Sequence, residues 1–485
     1  MAKRKIFLSL GLLAALVIMV IAILFIQNEK SNSDIFLAKT KDKVITLKWK
    51  LRVPNATLFI SDSTGNKYTE NVKGTGKYAF TKGTHGEMYT FNLEYTNNKK
   101  KKIHQEVKRL FLDFEKLPNL MTLYINTQDG KDPTCEEAPK TKGMKGSTII
   151  NNDYKKAVMN DNISVRIKVR GNTSGLQRKK PYKLLFKEKI DLLELGEEYA
   201  DREWYLISQA HLKTYFGLQM GKIVGMEWEP RMRFVNLMLN GDWKGLYILC
   251  EAINRHPKRI PLKKKGFLIE SDAYFWNKKG IFFESPLIDN TLKFTFKYPK
   301  ITSKFDPRAL AIQKQIKKLD NAIKTKSPEL SNLIDFNTFI AWEIAHEIMG
   351  TWDSCGGNKY FYKYNMNPEN KLKMGPLWDF DSIFKMKDNE HSAFWNPKVT
   401  YFPLLMKNNA FKNRYKQKYL EIAPSIEEKM KSVMEKLKTI SGLEESKKLD
   451  AKVWGGYVSL DSEINELMGH LHERIKWLNE EIGKL

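Results

Sequence analysis

The chain has 485 residues, 42% of them hydrophobic and 12% aromatic, and a formal net charge of +26. That length exceeds one compact core and predicts two or three domains, while the apolar content excludes a disordered chain. The charge predicts anionic partners such as nucleotide phosphates, an acidic protein, anionic lipid or cell-surface polymer. Three widely separated cysteines, Cys135, Cys250 and Cys355, exclude a paired-cysteine zinc site.

In chain order, Lys3, Arg4 and Lys5 precede a charge-free, almost wholly apolar run from Ile6 to Ile26. At 1.5 Å per residue this run matches the ~30 Å hydrocarbon core of a bilayer. Residues after it, Gln27-Asn-Glu-Lys-Ser-Asn, offer no small-residue cleavage site. Residues 1–27 are therefore predicted to be a signal anchor, with the basic flank in the cytoplasm and the rest of the chain outside the cell membrane. Cleavage after the run would instead give a secreted chain.

Residues 35–116 read as a small β-sandwich of the immunoglobulin or fibronectin-III type. Val44–Trp49, Ala56–Ile60 and Met88–Tyr95 alternate apolar and polar residues, and Ser63-Thr-Gly-Asn66 is a turn. The cluster Lys99–Lys102 sits beside turn-like sequence, and no catalytic constellation falls in this segment. The composition shifts at Leu117-Pro118, after which strands and helices mix in an α+β pattern through residue 485. Ile163–Val169 and Lys179–Phe186 read as paired strands. Asn240-Gly241 joins two apolar runs as a hairpin turn. Phe336, Phe339, Ile340, Ile344 and Ile348 share one helical face closed by Gly350, and long Lys/Glu-rich helices run over Tyr415–Ile440 and Leu460–Ile482.

The helix ending at Gly350 leads into Trp352-Asp353-Ser-Cys-Gly-Gly-Asn358. A strand, a turn, a second strand and Trp378-Asp379-Phe380-Asp381 follow. Two β-runs joined by a turn would return Asp379 to Asp353 and Asn358. Phosphoryl transfer needs this set: a carboxylate to orient the attacking hydroxyl, hard oxygen ligands for the bridging metal, and a cation for the phosphates. Asp353 is the candidate base, Asp379 and Asn358 the candidate Mg²⁺ ligands, and Asp381 either a further ligand or a cap. Arg170, Lys180 and Lys183 are candidate phosphate contacts, and Glu251 a candidate partner for a lysine, the base or the metal. The Gly171-Asn-Thr-Ser-Gly175 turn offers backbone N–H groups but is neither a Walker loop nor a kinase glycine loop.

Taken together, Arg170-Gly-Asn-Thr-Ser, Lys179-Lys-Pro-Tyr-Lys-Leu, Asn240-Gly-Asp-Trp-Lys-Gly-Leu-Tyr, Glu251, Trp352-Asp-Ser, Asn358-Lys-Tyr-Phe-Tyr and Leu377-Trp-Asp-Phe-Asp381 resemble the CotH family. These are spore-coat-protein-H-like proteins with a diverged protein-kinase fold. The resemblance spans roughly residues 118–485. It implies ATP- and Mg²⁺- (or Mn²⁺-) dependent phosphorylation of Ser or Thr in secreted or coat proteins, with Asp353 as the catalytic Asp and Asp379 as the metal-binding Asp. The sequence departs from ordinary kinases in having Thr351-Trp352 before the Asp and no Gly after Phe380. Two further readings stand beside this one. The first is a non-catalytic surface scaffold that grips an anionic polymer. The second, a metal hydrolase, fails because His346-Glu347 is followed by Gly350 where H-E-x-x-H needs His. No recognised nucleic-acid module accompanies the charge.

Overall fold

The computed structural model describes residues 35–65, 67–139, 147–160, 162–277, 281–288, 292–351, 357–384, 393–394 and 401–485. The apolar run at residues 6–26, Asp353 and Cys355 lie outside these residues. Among the described residues no helix is long and apolar enough to cross a membrane. The chain divides into two compact units, one of residues up to Leu117 with Gly241–Trp243, the other of Pro118–Asn240 and Lys244–Leu485.

In the first unit, β1 (Ile35–Lys41), β2 (Val44–Ser61), β3 (Lys67–Phe80), β4 (Met88–Thr96) and β5 (Lys102–Leu110) are all antiparallel. The sequence predicts a two-sheet sandwich; the hydrogen bonding instead forms one continuous five-stranded sheet. The cause is the length of β2. Its first half pairs with β1, its second half with β4, and its register on β3 shifts between Lys50 and Asn55. Arg109 Nε of β5 donates to the Ala38 carbonyl of β1 at 3.0 Å, so the sheet curls around one core. Ile45, Leu47, Leu58, Ile60, Phe91 and Leu93 fill that core through strict strand alternation.

The second unit mixes sheets and helices. Its strands are β6 (Thr122–Thr127), β7 (Glu136–Glu137), β8 (Ile149–Ile150), β9 (Lys155–Met159), β10 (Ile163–Val169), β11 (Tyr182–Ile190), β12 (Asp201–Ile207), β13 (Met232–Leu239), β14 (Asp242–Glu251), β15 (Phe267–Asp272), β16 (Phe282–Phe283), β17 (Lys293–Tyr298), β18 (Lys359–Lys363) and β19 (Lys373–Met374). Strands β10-β11-β12-β14-β13-β6-β9 close into a barrel filled by Leu123, Val165, Ile167, Leu184, Trp204, Leu237 and Leu249. A second sheet runs β16-β17-β15-β18-β19.

Its helices are α1 (His211–Val224), α2 (Pro307–Lys324), α3 (Leu330–Leu333), α4 (Phe336–Met349), α5 (Phe402–Leu405), α6 (Asn409–Lys438), α7 (Leu443–Trp454) and α8 (Leu460–Gly483). α4 is not the one-faced helix its sequence predicts. Thr338 through Met349 are all buried, because α1, α6, α8 and β19 pack around it. His346 is accordingly a core side chain: Nδ1 lies 2.9 Å from the Trp342 carbonyl and the ring stacks on Trp342 at 3.8 Å. Arg474 of α8 pairs with Glu347, and its Nε donates to the Glu347 carbonyl at 2.9 Å. Cys135 and Cys250 are free thiols, and burial pushes the Cys250 thiol up to about 12.

Candidate functional site

Two residues singled out by the sequence meet at the end of β18. Asn358 Nδ2 donates to Asp379 Oδ2 at 2.6 Å. Both residues have left-handed backbone, φ +54° for Asn358 and +76° for Asp379. Side chains with a Cβ rarely adopt that region, and such strain persists only where the surroundings hold it. β15 supplies part of that hold through antiparallel pairing with β18, Glu270 opposite Tyr360 and Ser271 opposite Lys359. A Cβ on Gly357 would stand in ordinary van der Waals contact with the Ala273 Cβ, at 3.8 Å.

Phe380 and Leu377 anchor the Asp379 side. The Phe380 ring packs on α1 where there is no side chain: a Cβ on Gly217 would fall 2.1 Å from it. Glycine inside a helix costs roughly 0.5–1 kcal/mol against Ala, so this position trades helix stability for close approach. Leu377 N–H donates to the buried Glu229 carboxylate at 3.0 Å. Burial holds Glu229 well above the usual carboxylate range.

The barrel forms the opposite wall. The Arg170 guanidinium lies 4.2 Å over the Tyr205 ring and 5.4 Å over Trp378, the residue before Asp379. Tyr205 meets Trp378 edge-on at 6.0 Å. Lys183 stands opposite Tyr205 across β11 and β12, and its Nζ reaches diagonally to Glu203 at 2.5 Å. Tyr205 Oη donates to the same Glu203 oxygen at 3.1 Å. A second lysine–glutamate pair sits on the facing sheet: Lys297 Nζ to Glu270 at 2.8 Å, with Tyr360 Oη donating to Glu270 at 3.0 Å. Thr295 Oγ1 and Tyr274 N–H both donate to Asp272, at 3.3 and 2.7 Å.

The two pairs feel one another. Burial lowers the Lys183 ammonium, with Glu203 opposing and Lys297 adding to the lowering. Burial also acts to lower Lys297, but Glu270, Asp272 and Glu203 outweigh it and leave that ammonium raised. Lys183, Lys297, Arg170, Glu203, Glu270 and Asp272 thus form one charged cluster, joined to the Asp379 segment through the Arg170–Trp378 contact. An anion with a bound cation fits this charge pattern.

The remaining candidates fall elsewhere. Glu251, predicted to partner a lysine, base or metal, is fully buried in a separate ion cluster. Arg231 holds it through Nε at 2.8 Å and Nη2 at 2.6 Å, and Arg259 Nε through a contact of 3.2 Å. With both oxygens engaged by arginines, Glu251 leaves the nucleotide set. Lys180 and Lys183 are not two residues of one strand, since β11 starts at Tyr182. Lys180 Nζ caps the Gly175 carbonyl at 2.8 Å in the turn after Arg170. That turn approaches the second sheet, with the Thr173 and Tyr274 hydroxyls 3.2 Å apart. Lys179, the third basic residue of the run, is buried on Asp450 at 2.6 Å and on the Leu246 carbonyl at 2.6 Å. Asp381 is exposed, two residues past Asp379. Glu203, Glu270, Asp272 and Lys297 escaped the sequence reading. Only the alternation in Asp201-Arg-Glu-Trp-Tyr205 hinted at Glu203, as a polar residue on the face that Lys183 occupies.

A family model described as CotH kinase protein matches residues 167–478, and the chain belongs to that family. No curated protein matches the chain. Among solved structures, a two-domain fibronectin type-III segment of chicken tenascin is similar at 12% identity over 32% of this chain and 87% of that one, with a TM-score of 0.14. The twitchin kinase region of C. elegans is similar at 9% identity over 44% of this chain and 38% of that one, with a TM-score of 0.17. At these scores neither likeness bears on the fold.

Proposed function

We propose that the chain transfers the terminal phosphoryl group of ATP to Ser or Thr hydroxyls of secreted or cell-surface proteins. The observation that carries this reading is the 2.6 Å contact between Asn358 and Asp379, both on strained backbone, beside the Lys183–Glu203 pair. Membership of a kinase family supports it. Mg²⁺ or Mn²⁺ suits the hard oxygens of Asp379 and Asn358, since Mg²⁺ takes one or two carboxylates and fills its remaining positions with phosphate and water. When bound, the ion would neutralise charge on the phosphates. Lys183, held by Glu203, and Arg170, held over two rings, supply cations from the barrel wall. Asp353 accepts the proton of the acceptor hydroxyl as the new oxygen–phosphorus bond forms and the bond to the β-phosphate oxygen breaks. ADP leaves with the electron pair. The apolar run at residues 6–26 would tether the catalytic unit at the outer face of the cell membrane.

The test uses the chain from residue 35 onward with labelled ATP and either metal, wild type beside Asp379→Asn and Asp353→Asn. Metal-dependent transfer should fall by about 10³-fold or more in both variants, the scale of losing a group that stabilises transition-state charge. Absence of nucleotide binding and transfer with either metal would overturn the proposal in favour of a kinase-like surface scaffold.

A further inference from the structure

The outward face of the first unit carries a charge pattern unrelated to the site above. Strand alternation turns Leu37, Lys39 and Lys41 of β1 outward, with Thr46, Lys48, Lys50, Arg52 and Pro54 of β2 and Thr75, Lys77 and Ala79 of β3. Six of these eleven residues are basic and none is acidic. Lys39, Lys41, Lys48, Lys50, Arg52 and Lys77 are all exposed. Lys48 stands directly opposite Lys77 on one side and the 59%-exposed Leu37 on the other, and Lys39 is its diagonal neighbour.

Like charges directly opposite each other destabilise a sheet. Elsewhere the same sheet balances its lysines: Lys102 pairs with Glu94 at 3.0 Å and Lys108 with Glu106 at 3.5 Å. Among the described residues Lys39, Lys41, Lys48, Lys50 and Lys77 form no ion pair. An external anion would supply the balance that the fold leaves out.

We infer that this face docks a linear polyanion without bases, a phosphodiester polymer of a polyol. Lys48, Lys50 and Arg52 follow one another at two-residue steps, so successive cations recur about every 7 Å along β2. Phosphates linked through short polyol units recur at a similar interval. A single-stranded nucleic acid also does, but its binding platforms stack bases on aromatic rings. The eleven positions named above present no ring, since Trp49 and Phe91 turn into the core; the exposed Phe59 lies farther along β2, beyond its register shift on β3. The inference is independent of phosphoryl transfer.

The experiment titrates the chain from residue 35 onward, which retains both compact units, with synthetic poly(glycerol phosphate) over a range of salt. Phosphatidylglycerol vesicles and an oligo-dT of equal charge serve as competitors. K48E/K50E/K77E should weaken polymer binding by roughly tenfold or more at 0.1 M salt and reduce the slope of log K against log salt by about 2, three lost phosphate contacts. K99E/K100E/K101E, the same charge change at the β4–β5 turn, should bind as wild type. If charge reversal unfolds the sheet, K48Q/K50Q/K77Q gives the reading. Equal weakening by the two triple variants, no binding of the polymer, or tighter binding to oligo-dT or vesicles would each overturn the inference.

Discussion

Around Glu251, Arg231 and Arg259 close on one carboxylate in the interior, and Arg259 also reaches Asp201 at 2.9 Å. Around Asp379, the same kinds of group stay within reach of water: the Lys183 and Glu203 side chains are 23% and 25% exposed. Both clusters hold acids against bases at the edges of the barrel. In the buried one both Glu251 oxygens are held by arginines, and breaking such a buried pair strands its partners. The open one keeps Lys183, Glu203 and Lys297 partly solvated while Glu270 and Asp272 are buried, and it sits beside strained backbone at Asn358 and Asp379. What separates the two is the acid the basic side chains converge on: Glu251 is sealed at 0% exposure, Glu203 is 25% exposed.

The largest effect that would test this contrast is Glu251→Ala. It should cost about 3–5 kcal/mol, the penalty for leaving Arg231 and Arg259 without their acid, read from urea midpoints. Phosphoryl transfer per folded molecule should stay at the wild-type level. Lost nucleotide binding at unchanged stability would return Glu251 to the site.

Next in size is Lys183→Met, expected to lower kcat/KM for ATP by about 10²-fold while moving stability by no more than ~1 kcal/mol, because its ion pair is partly exposed. Lys179→Met should do the reverse, leaving transfer intact and destabilising the chain through the stranded Asp450. Matching effects from the two lysines would erase the distinction between the clusters.

The last effect, absent at neutral pH, concerns a buried group outside both clusters. Burial pushes the His346 imidazole down to about 3, below its unfolded value of 6.5. Between those values the unfolded chain binds a proton that the folded chain refuses. Stability is therefore complete above about pH 6.5 and falls as pH drops toward 3, by up to ~1.4 kcal/mol per unit. Glu343, raised first by burial and then by Glu347, acts in the opposite sense above the ordinary carboxylate range. The difference in urea midpoint between wild type and His346→Gln isolates the histidine. Parallel pH profiles for the two would show that His346 titrates freely.

The Asn358–Asp379 contact was legible because its parts lie close in sequence. Asn358 and Asp379 are joined by one short hairpin, so an apolar alternation with a polar turn sufficed to bring them together. The strand pair β10–β11 and the hairpin at Asn240-Gly241 were legible for the same reason. α1 was not: it carries Gly217 and Gly221, packs on nearly all sides and shows no clean amphipathic stripe. Glu270, Asp272 and Lys297 were not either. Each is an ordinary strand residue until β15 and β17 are paired with each other and set against β18. Glu251 misled because a conspicuous acid at a strand end gives no hint of the arginines that will enclose it.

The sequence by itself determined the family, the order of strands and helices that brings Asn358 back to Asp379, and the basic excess. These follow from local periodicity, turn chemistry and composition, which need no long-range contact. Only the tertiary structure decided which charges are sealed and which are open, that the first unit is one curled sheet, and that six basic residues of β1, β2 and β3 share one face. Those properties depend on strand register and on burial by elements distant in the chain, and local sequence carries neither.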